Sequence, residues 1–276
     1  FLEDKKYREV MDLKILDPAC GSGSFLIRAY DELVNYFEKK DKQVNLFTRF
    51  RILTGNIYGV DLDAQAVEIA QLNLLLKTLS TRTILPNLAG KIRVGNSLIS
   101  ENDLFCHYEE HSDKVVTKTE IASPLARNNN KEKTCYNILV KYFGADYSIK
   151  KPFAYEKQFP EVFNRKNPGF DVIIGNPPYV RIQTLPKDEV KYFSDKYEAA
   201  KGSYDIYLLF IEKAYRLLRK GGVAGFILPN KFMVSGYGEG LRELLSREKA
   251  IWKIVDFGDA QVFEGATTYT MLLFLQ

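Results

Sequence analysis

Lys14-Ile15-Leu16-Asp17-Pro18-Ala19-Cys20-Gly21-Ser22-Gly23 is the stretch whose reading decides the fold. Ile15 and Leu16 form a short apolar run suited to a buried strand, and Asp17-Pro18 ends it abruptly. Gly21 and Gly23 allow positive φ and a close approach of backbone to a ligand. An apolar-periodic segment follows, with Phe25, Leu26, Ala29, Leu33, Tyr36 and Phe37 on one helical face. Strand, glycine turn and helix in this order open a parallel sheet that binds its ligand at the carboxyl ends of the strands.

The same alternation continues outward. Asn56 to Val60 reads as a second strand ended by Asp61-Leu62-Asp63, and Ala66, Val67, Ala70, Asn73, Leu74 and Lys77 follow at helical spacing. Lys91 to Val94 is a third, shorter strand. Phe170 to Gly175 is a fourth, ended by Asn176-Pro177-Pro178-Tyr179. Tyr204 to Leu218 reads as a helix stopped by Lys220-Gly221-Gly222, and Val223 to Leu228 as a fifth strand. Leu241 to Leu245 belongs to a further helix, and Ile251–Phe257 and Thr268–Phe274 are two more strands. The expectation is a doubly wound α/β fold of seven strands, mostly parallel, with a reversed final strand.

Between Glu101 and Pro168 the pattern breaks into polar runs such as Asn128-Asn129-Asn130-Lys131-Glu132-Lys133, with weak helical periodicity from Tyr136 to Phe143. A connection this long inside an α/β domain is unusual. It is read as an insertion, 101–168, that packs on the core or contacts a partner, between a first half, 1–100, and a second half, 169–276. The chain opens without methionine and closes on a strand, so it is expected to be a piece of a longer protein.

The motifs carry chemistry beyond the fold. A dinucleotide turn needs a phosphate cradle, but here Asp17 faces the ligand side, repelling phosphate and suiting the ammonium of an amino acid. Asp61 ends strand two, where a carboxylate accepts from both hydroxyls of a ribose, while Asp63 is placed to cap the next helix. Asn96 and Ser97, after strand three, are placed to reach an adenine ring. Two prolines hold the Asn176 loop rigid, and their missing N–H groups leave carbonyls free to accept. The Asn176 Oδ1 and the Pro177 carbonyl are thereby candidates to accept both protons of a planar, conjugated –NH2 group. That localises its lone pair for attack without an acid–base residue. Tyr179 is placed to stack on the face of the ring.

Composition bounds these readings. The chain has 276 residues, 46% of them hydrophobic, enough for one large core with an insertion. Its net charge of +4 fits a polyanionic partner without requiring one. No run of about 18 apolar residues predicts a membrane span, and Phe1-Leu2-Glu3-Asp4-Lys5-Lys6 does not read as a signal peptide. Cys20, Cys106 and Cys135 form no CxxC pair and read as free thiols of a cytoplasmic protein. His107 and His111 share a helix face beside Cys106, but Glu109 and Glu110 make a solvated surface equally natural, and no metal is expected.

Taken in order, these motifs closely resemble the adenine-N6 amino-methyltransferases, and most of all the methylase region of bacterial restriction–modification enzymes of the type IIG, Eco57I-like kind. The resemblance covers roughly residues 10–100 and 168–276. It implies the class I S-adenosylmethionine-dependent fold. It implies that Asp17, Pro18, Ala19, Cys20, Gly21, Gly23 and Phe25 hold the methionine end of S-adenosyl-L-methionine. Asp61 and Leu62 would hold its ribose, and Asn96 and Ser97 its adenine, with Asn96 standing where the family commonly has aspartate. Asn176 would contact both cofactor and target, alongside Pro177, Pro178 and Tyr179. Phe263 would stack on an adenine flipped out of double-stranded DNA. Arg181, Lys187 and Lys231 are placed to meet phosphates, against the alternative of solvated surface charges. A recognition domain, and in some relatives a nuclease, would lie elsewhere in the polypeptide. The rival readings are methyl transfer to protein glutamine or RNA adenine, a nicotinamide oxidoreductase, and a non-catalytic DNA-binding subunit.

Overall fold

The computed structural model describes residues 2, 5–41, 44–78, 85–101, 138–258 and 270–276. Seven strands form one sheet in the order β3-β2-β1-β4-β5-β7-β6. They are β1 (Ile15–Asp17), β2 (Ile57–Asp61), β3 (Ile92–Val94), β4 (Phe170–Gly175), β5 (Leu218–Pro229), β6 (Ile251–Asp256) and β7 (Thr270–Leu275). The first five are parallel neighbours. The β7 strand runs antiparallel to both β5 and β6, which is the expected reversal of the last strand. Among the described residues no helix is long and apolar enough to cross a membrane.

Pairing register divides the sheet into two faces, because side chains alternate along a strand and paired residues point the same way. Ile15, Ile57, Val172 and Ile174 face one cluster. Helices α1 (Tyr7–Met11), α2 (Ser24–Asp41), α3 (Leu46–Asn56) and α4 (Ala64–Leu76) supply that cluster's other side through Val10, Leu26, Tyr30, Leu53 and Ala70. Leu16, Ile173, Ala224, Phe226 and Leu273 face the second cluster. It is closed by α5 (Lys187–Lys196), α6 (Tyr207–Leu217) and α7 (Glu239–Arg247), with short helical turns at Tyr155–Gln158 and Pro160–Phe163. At the edge away from the glycine turn, the Asp171 carboxylate accepts from the Lys14 backbone N–H and pairs with Arg165 and Arg219, holding β4 in register with β1.

Several sequence expectations shift. Asn56 is not the first residue of a strand but the last of α3, a helix the pattern did not predict. Its buried Nδ2 donates to the carbonyls of Val10, Met11 and Leu13, tying the turn before β1 to the start of β2. The buried stripe of α2 runs through Leu26, Tyr30, Leu33 and Phe37, and Phe25 is exposed. The α6 helix begins at Tyr207 rather than Tyr204, and β5 begins at Leu218 before the Gly221-Gly222 pair. Of the insertion, residues 102–137 lie outside the described residues. Residues 138–168 pack on the core, one of the two alternatives offered for the insertion: Leu139, Phe153, Tyr155, Phe159 and Val162 are buried in the second cluster.

Candidate active site

The ends of β1, β2, β3 and β4 meet around Asp17. The Gly21 backbone takes φ 50° and Gly23 φ 88°, the left-handed region where a Cβ is strained. A Cβ on Gly21 would meet nothing within 4 Å, so the turn is open on its ligand side, whereas Gly23 is pressed against Ala70 of α4. The turn is seated by the Cys20 N–H on the Val60 carbonyl (3.0 Å) and the Gly21 N–H on the Asp61 carboxylate (2.8 Å). Cys20 is buried, and burial, with Asp17 and Asp61 nearby, pushes its thiol far up, so it is a packing residue rather than a nucleophile. Pro18 and Ala19 follow Asp17 into the turn, and the Ala19 N–H donates to Asp17 Oδ1 (3.0 Å).

Asp17 is the electrostatic centre of the site. It is 1% exposed, and no lysine or arginine among the described residues is paired with it. Burial is the main cause that pushes its carboxyl up to about 7, with Asp61 adding repulsion and the Ala19 N–H opposing. A buried carboxylate beside an open turn, lacking a cation, is matched by a ligand that brings one.

Around it the other strand ends supply polar groups. Asp61 uses one oxygen for Gly21 and the other for the Asp63 N–H (2.9 Å), and each oxygen retains a second lone pair for a ribose hydroxyl. Asp63 caps α4 through the Gln65 N–H, as its position predicts. Leu62 stands exposed between them, and Phe25 is exposed at the start of α2. Asn96 is half-buried, and its Oδ1 accepts from the Leu98 N–H (3.1 Å), which leaves the amide Nδ2 as its remaining donor. Ser97, the next residue, lies against the glycine turn. Its buried hydroxyl donates to the Pro18 carbonyl (2.6 Å) and accepts from Tyr155 (2.9 Å), so both valences serve the turn itself.

The Asn176 loop leaves β4 directly above Asp17. A Cβ on Gly175, the residue before Asn176, would lie 2.9 Å from Asp17 Oδ1. Glycine is therefore required where the two pieces of the site touch. Pro177 is buried, while Asn176, Pro178 and Tyr179 are exposed. The Tyr179 hydroxyl lies within hydrogen-bond reach of Asn176 Oδ1 (2.5 Å) and the Ile227 carbonyl (3.0 Å), and its ring packs edge-on against Tyr207. Partial burial pushes its phenol up to about 12, so it stays neutral and available as a donor. Asn176 thus sits on the first strand-end cluster, not apart from it. Phe263 lies outside the described residues, as do Cys106, His107 and His111.

Beyond the loop, the backbone at Arg181 pairs antiparallel with that at Asp205, whose carboxyl is raised by burial and pulled back by the charges of Arg181 and Lys231. Lys187 opens α5. The structure also brings in residues the sequence did not single out. Lys151, at φ 50°, accepts the Asn96 N–H on its carbonyl and donates from Nζ to the Leu62 carbonyl (3.0 Å), spanning the ends of β2 and β3. Phe153 fills the space above Gly95 that any side chain there would occupy. The aromatic spacing of Phe153, Tyr155 and Phe159 was the available signal.

Comparison with known proteins places this arrangement. Residues 55–263 match the family described as Eco57I restriction-modification methylase, and residues 9–84 match an RMKL-like methyltransferase domain. The type II restriction enzyme and methyltransferase RM.Eco57I of Escherichia coli is 32% identical over all of this chain, which spans 26% of that protein. The adenine-specific methyltransferase PglX of Streptomyces coelicolor is 26% identical over 95% of this chain, and 20% of PglX is covered. Among solved structures, a nuclease-deletion mutant of the Type ISP restriction-modification enzyme LlaGI with a DNA substrate mimic superposes with a TM-score of 0.58. It shares 17% identity over 96% of this chain and 20% of its own, a likeness of fold. The chain therefore spans about a quarter of the length of these curated relatives.

Proposed function

Because the chain belongs to the Eco57I restriction–modification methylase family, we propose that it transfers the methyl group of S-adenosyl-L-methionine to the N6 amine of adenine in double-stranded DNA. The observation that carries this is the contact between Gly175 and Asp17, which sets the Asn176 loop directly on the strand ends that hold the cofactor. When bound, S-adenosyl-L-methionine supplies an electrophilic methyl on a sulfonium. The residues present fit it: an unpaired buried carboxylate for its ammonium, an open glycine turn, and Asp61 for its ribose.

The protein's own part is positioning. Asp17 pairs with the ammonium, and Asp61 accepts from the ribose hydroxyls. The Asn96 Nδ2, left over from the Leu98 contact, donates to a ring nitrogen of the cofactor adenine. Ser97 works one step removed, fixing the Pro18 carbonyl. Asn176 Oδ1 and the Pro177 carbonyl accept the two amine protons of the target, which withdraws its lone pair from the ring. Tyr179 yields its hydrogen bond to Asn176 as the amine arrives and covers the base. A target inside a duplex must first be flipped out, at a cost of a few kcal/mol. Stacking on Tyr179 and on Phe263 returns ~1–3 kcal/mol per aromatic contact. Arg181, Lys187 and Lys231 meet backbone phosphates, and sequence recognition resides in parts of the longer polypeptide. The working environment is the cytoplasm.

The test is Asn176→Ala in the full-length polypeptide. Cofactor binding by calorimetry is expected to stay within about twofold, while single-turnover methyl transfer falls by ~10²–10³, the usual effect of removing one preorganised polar group. Equal transfer rates in the two proteins would reject the role of the loop.

A further inference from the structure

The chain that leaves the Asn176 loop is held as one side of a short ribbon. The Ile182 N–H donates to the Tyr204 carbonyl (3.0 Å) and the Ile206 N–H to the Val180 carbonyl (2.9 Å), which sets Arg181 opposite Asp205 in antiparallel pairing. Two residues further in either direction, the same pairing sets Tyr179 opposite Tyr207 and Gln183 opposite Ser203, on the same face as Arg181. Both pairs are in contact: the tyrosine rings meet edge-on with centroids 5.7 Å apart, and Gln183 Nε2 donates to Ser203 Oγ (2.5 Å). The alternate residues Ile182 and Tyr204 are buried and anchor the ribbon on the core. The outward face therefore carries, in line, the tyrosine of the Asn176 loop, an arginine and an amide. Beyond the amide, between the ribbon and the start of α5, lies a groove of about 390 Å³, within the size range of small-ligand sites. Its floor is apolar, from Ile182, Leu185 and Val190, and Lys187 stands on its rim. Gly202 lines it at φ 64°, where a Cβ would meet nothing within 4 Å, so backbone there can lie close to a ligand.

We propose that this groove receives one nucleotide of the DNA strand that carries the target adenine, a few positions away from it, and that Gln183 contacts the edge of its base. The proposal rests on the reading of the chain as a DNA methyltransferase. Two observations select this occupant. The first is continuity: a strand that delivers its base to Tyr179 continues along the same ribbon face over Arg181 to Gln183. Gln183 lies ~13 Å from Tyr179 along the ribbon, which a stacked strand covers in about four nucleotides and an extended one in fewer. The second is complementarity. Arg181 and Lys187 are exposed at the two ends of this path, while the acids next to Lys187, Asp188 and Glu189, are each turned to Lys150 at 2.9 Å. Cations for the phosphates thus flank an apolar floor for the face of a base. With one N–H given to Ser203, Gln183 keeps its Oε1 and its second N–H, the acceptor and donor that an amide presents to a base edge. Ser203 holds that amide in place, so it is a positioning residue.

The test uses the full-length polypeptide and a duplex bearing its methylated sequence, found by mapping N6-methyladenine in DNA of cells that express it. Fluorescence anisotropy compares wild type with Gln183→Ala, a change at an exposed side chain. The duplexes are the intact one and a set with a single abasic residue at each position of either strand near the target. Gln183→Ala is expected to weaken binding to the intact duplex about tenfold, with cofactor affinity unchanged. One abasic position, in the target strand and within about four nucleotides of the adenine, is expected to weaken the wild type about tenfold and the variant less than about twofold. Losses that multiply at every position, a coupled position in the complementary strand or at the target itself, a loss of cofactor affinity, or no weakening by Gln183→Ala overturns the inference. Cellular DNA without N6-methyladenine overturns the methyltransferase reading instead, and this inference with it.

Discussion

Replacing Asp17 by asparagine makes the cofactor-free protein more stable at alkaline pH, not less. The carboxyl titrates near 7 in the folded protein against 3.8 in the unfolded chain, chiefly because it is buried. Between those two values the folded state binds the extra proton, so stability falls as pH rises. The contribution is complete below about pH 4 and is lost by the time pH has passed 7. A shift of about 3 units at about 1.4 kcal/mol each sets the loss near 4 kcal/mol. Asparagine has the same shape, keeps the acceptor for the Ala19 N–H and never ionises. The stability difference between variant and wild type is therefore expected to grow with a slope of up to about 1.4 kcal/mol per pH unit, levelling off above pH 8. Urea unfolding of the two proteins from pH 5 to 8.5, without cofactor, reads this directly. With saturating S-adenosyl-L-methionine the ranking is expected to reverse, because only the wild type gains an ammonium partner. Parallel stability profiles, differing by a constant across this range, would refute the reading of Asp17 as an uncompensated buried acid.

Further consequences are open to measurement. Cofactor affinity of the wild type is expected to rise about tenfold from pH 5.5 to pH 7 as Asp17 ionises, seen by titration calorimetry; a flat profile counts against the ammonium pairing. Tyr179→Ala is expected to weaken DNA binding by ~1–3 kcal/mol while cofactor affinity is kept, measured by fluorescence anisotropy with an abasic or mismatched target to isolate stacking. Tyr155→Phe removes the hydrogen bond to Ser97 and is expected to raise the cofactor Kd about fivefold, near 1 kcal/mol, with no change in the affinity for DNA. Asn56→Ala removes the side-chain donor from three carbonyls, of which that of Val10 keeps the Leu13 N–H, and is expected to cost about 2–3 kcal/mol in urea unfolding, with the active-site residues untouched.

The legible parts of this molecule were those whose cause is local. The β1, β4 and β7 strands are short apolar runs bounded by turn chemistry, and Asp17, Asp61 and Asn176 each stand at the residue where a strand ends. Their juxtaposition follows from parallel topology alone, since successive strand ends in such a sheet share one edge. What escaped depended on distant partners. The α3 helix carries Phe47 exposed to solvent and Ile52 and Leu53 inside, a pattern without clean periodicity. Its last residue, Asn56, looks like a strand start because its helical role is fixed by carbonyls more than 40 positions away. Phe25 was placed on the apolar stripe by spacing, yet the buried stripe runs through Leu26, Tyr30, Leu33 and Phe37 and leaves it exposed. Ser97 was legible in place but its hydrogen-bond partner was not, because Tyr155 sits 58 residues on in a segment that reads as insertion. Aromatic residues scattered from Leu139 to Val162 find their order only by packing on the second face of the sheet.

The account stands or falls on which atom receives the methyl group. The full-length polypeptide, given labelled S-adenosyl-L-methionine with duplex DNA, RNA and protein pools, is expected to place the label in DNA, and nucleoside digestion is expected to recover it as N6-methyl-deoxyadenosine. Label recovered on protein glutamine, on RNA or on a cytosine would contradict it, as would bound cofactor with no transfer to any of them.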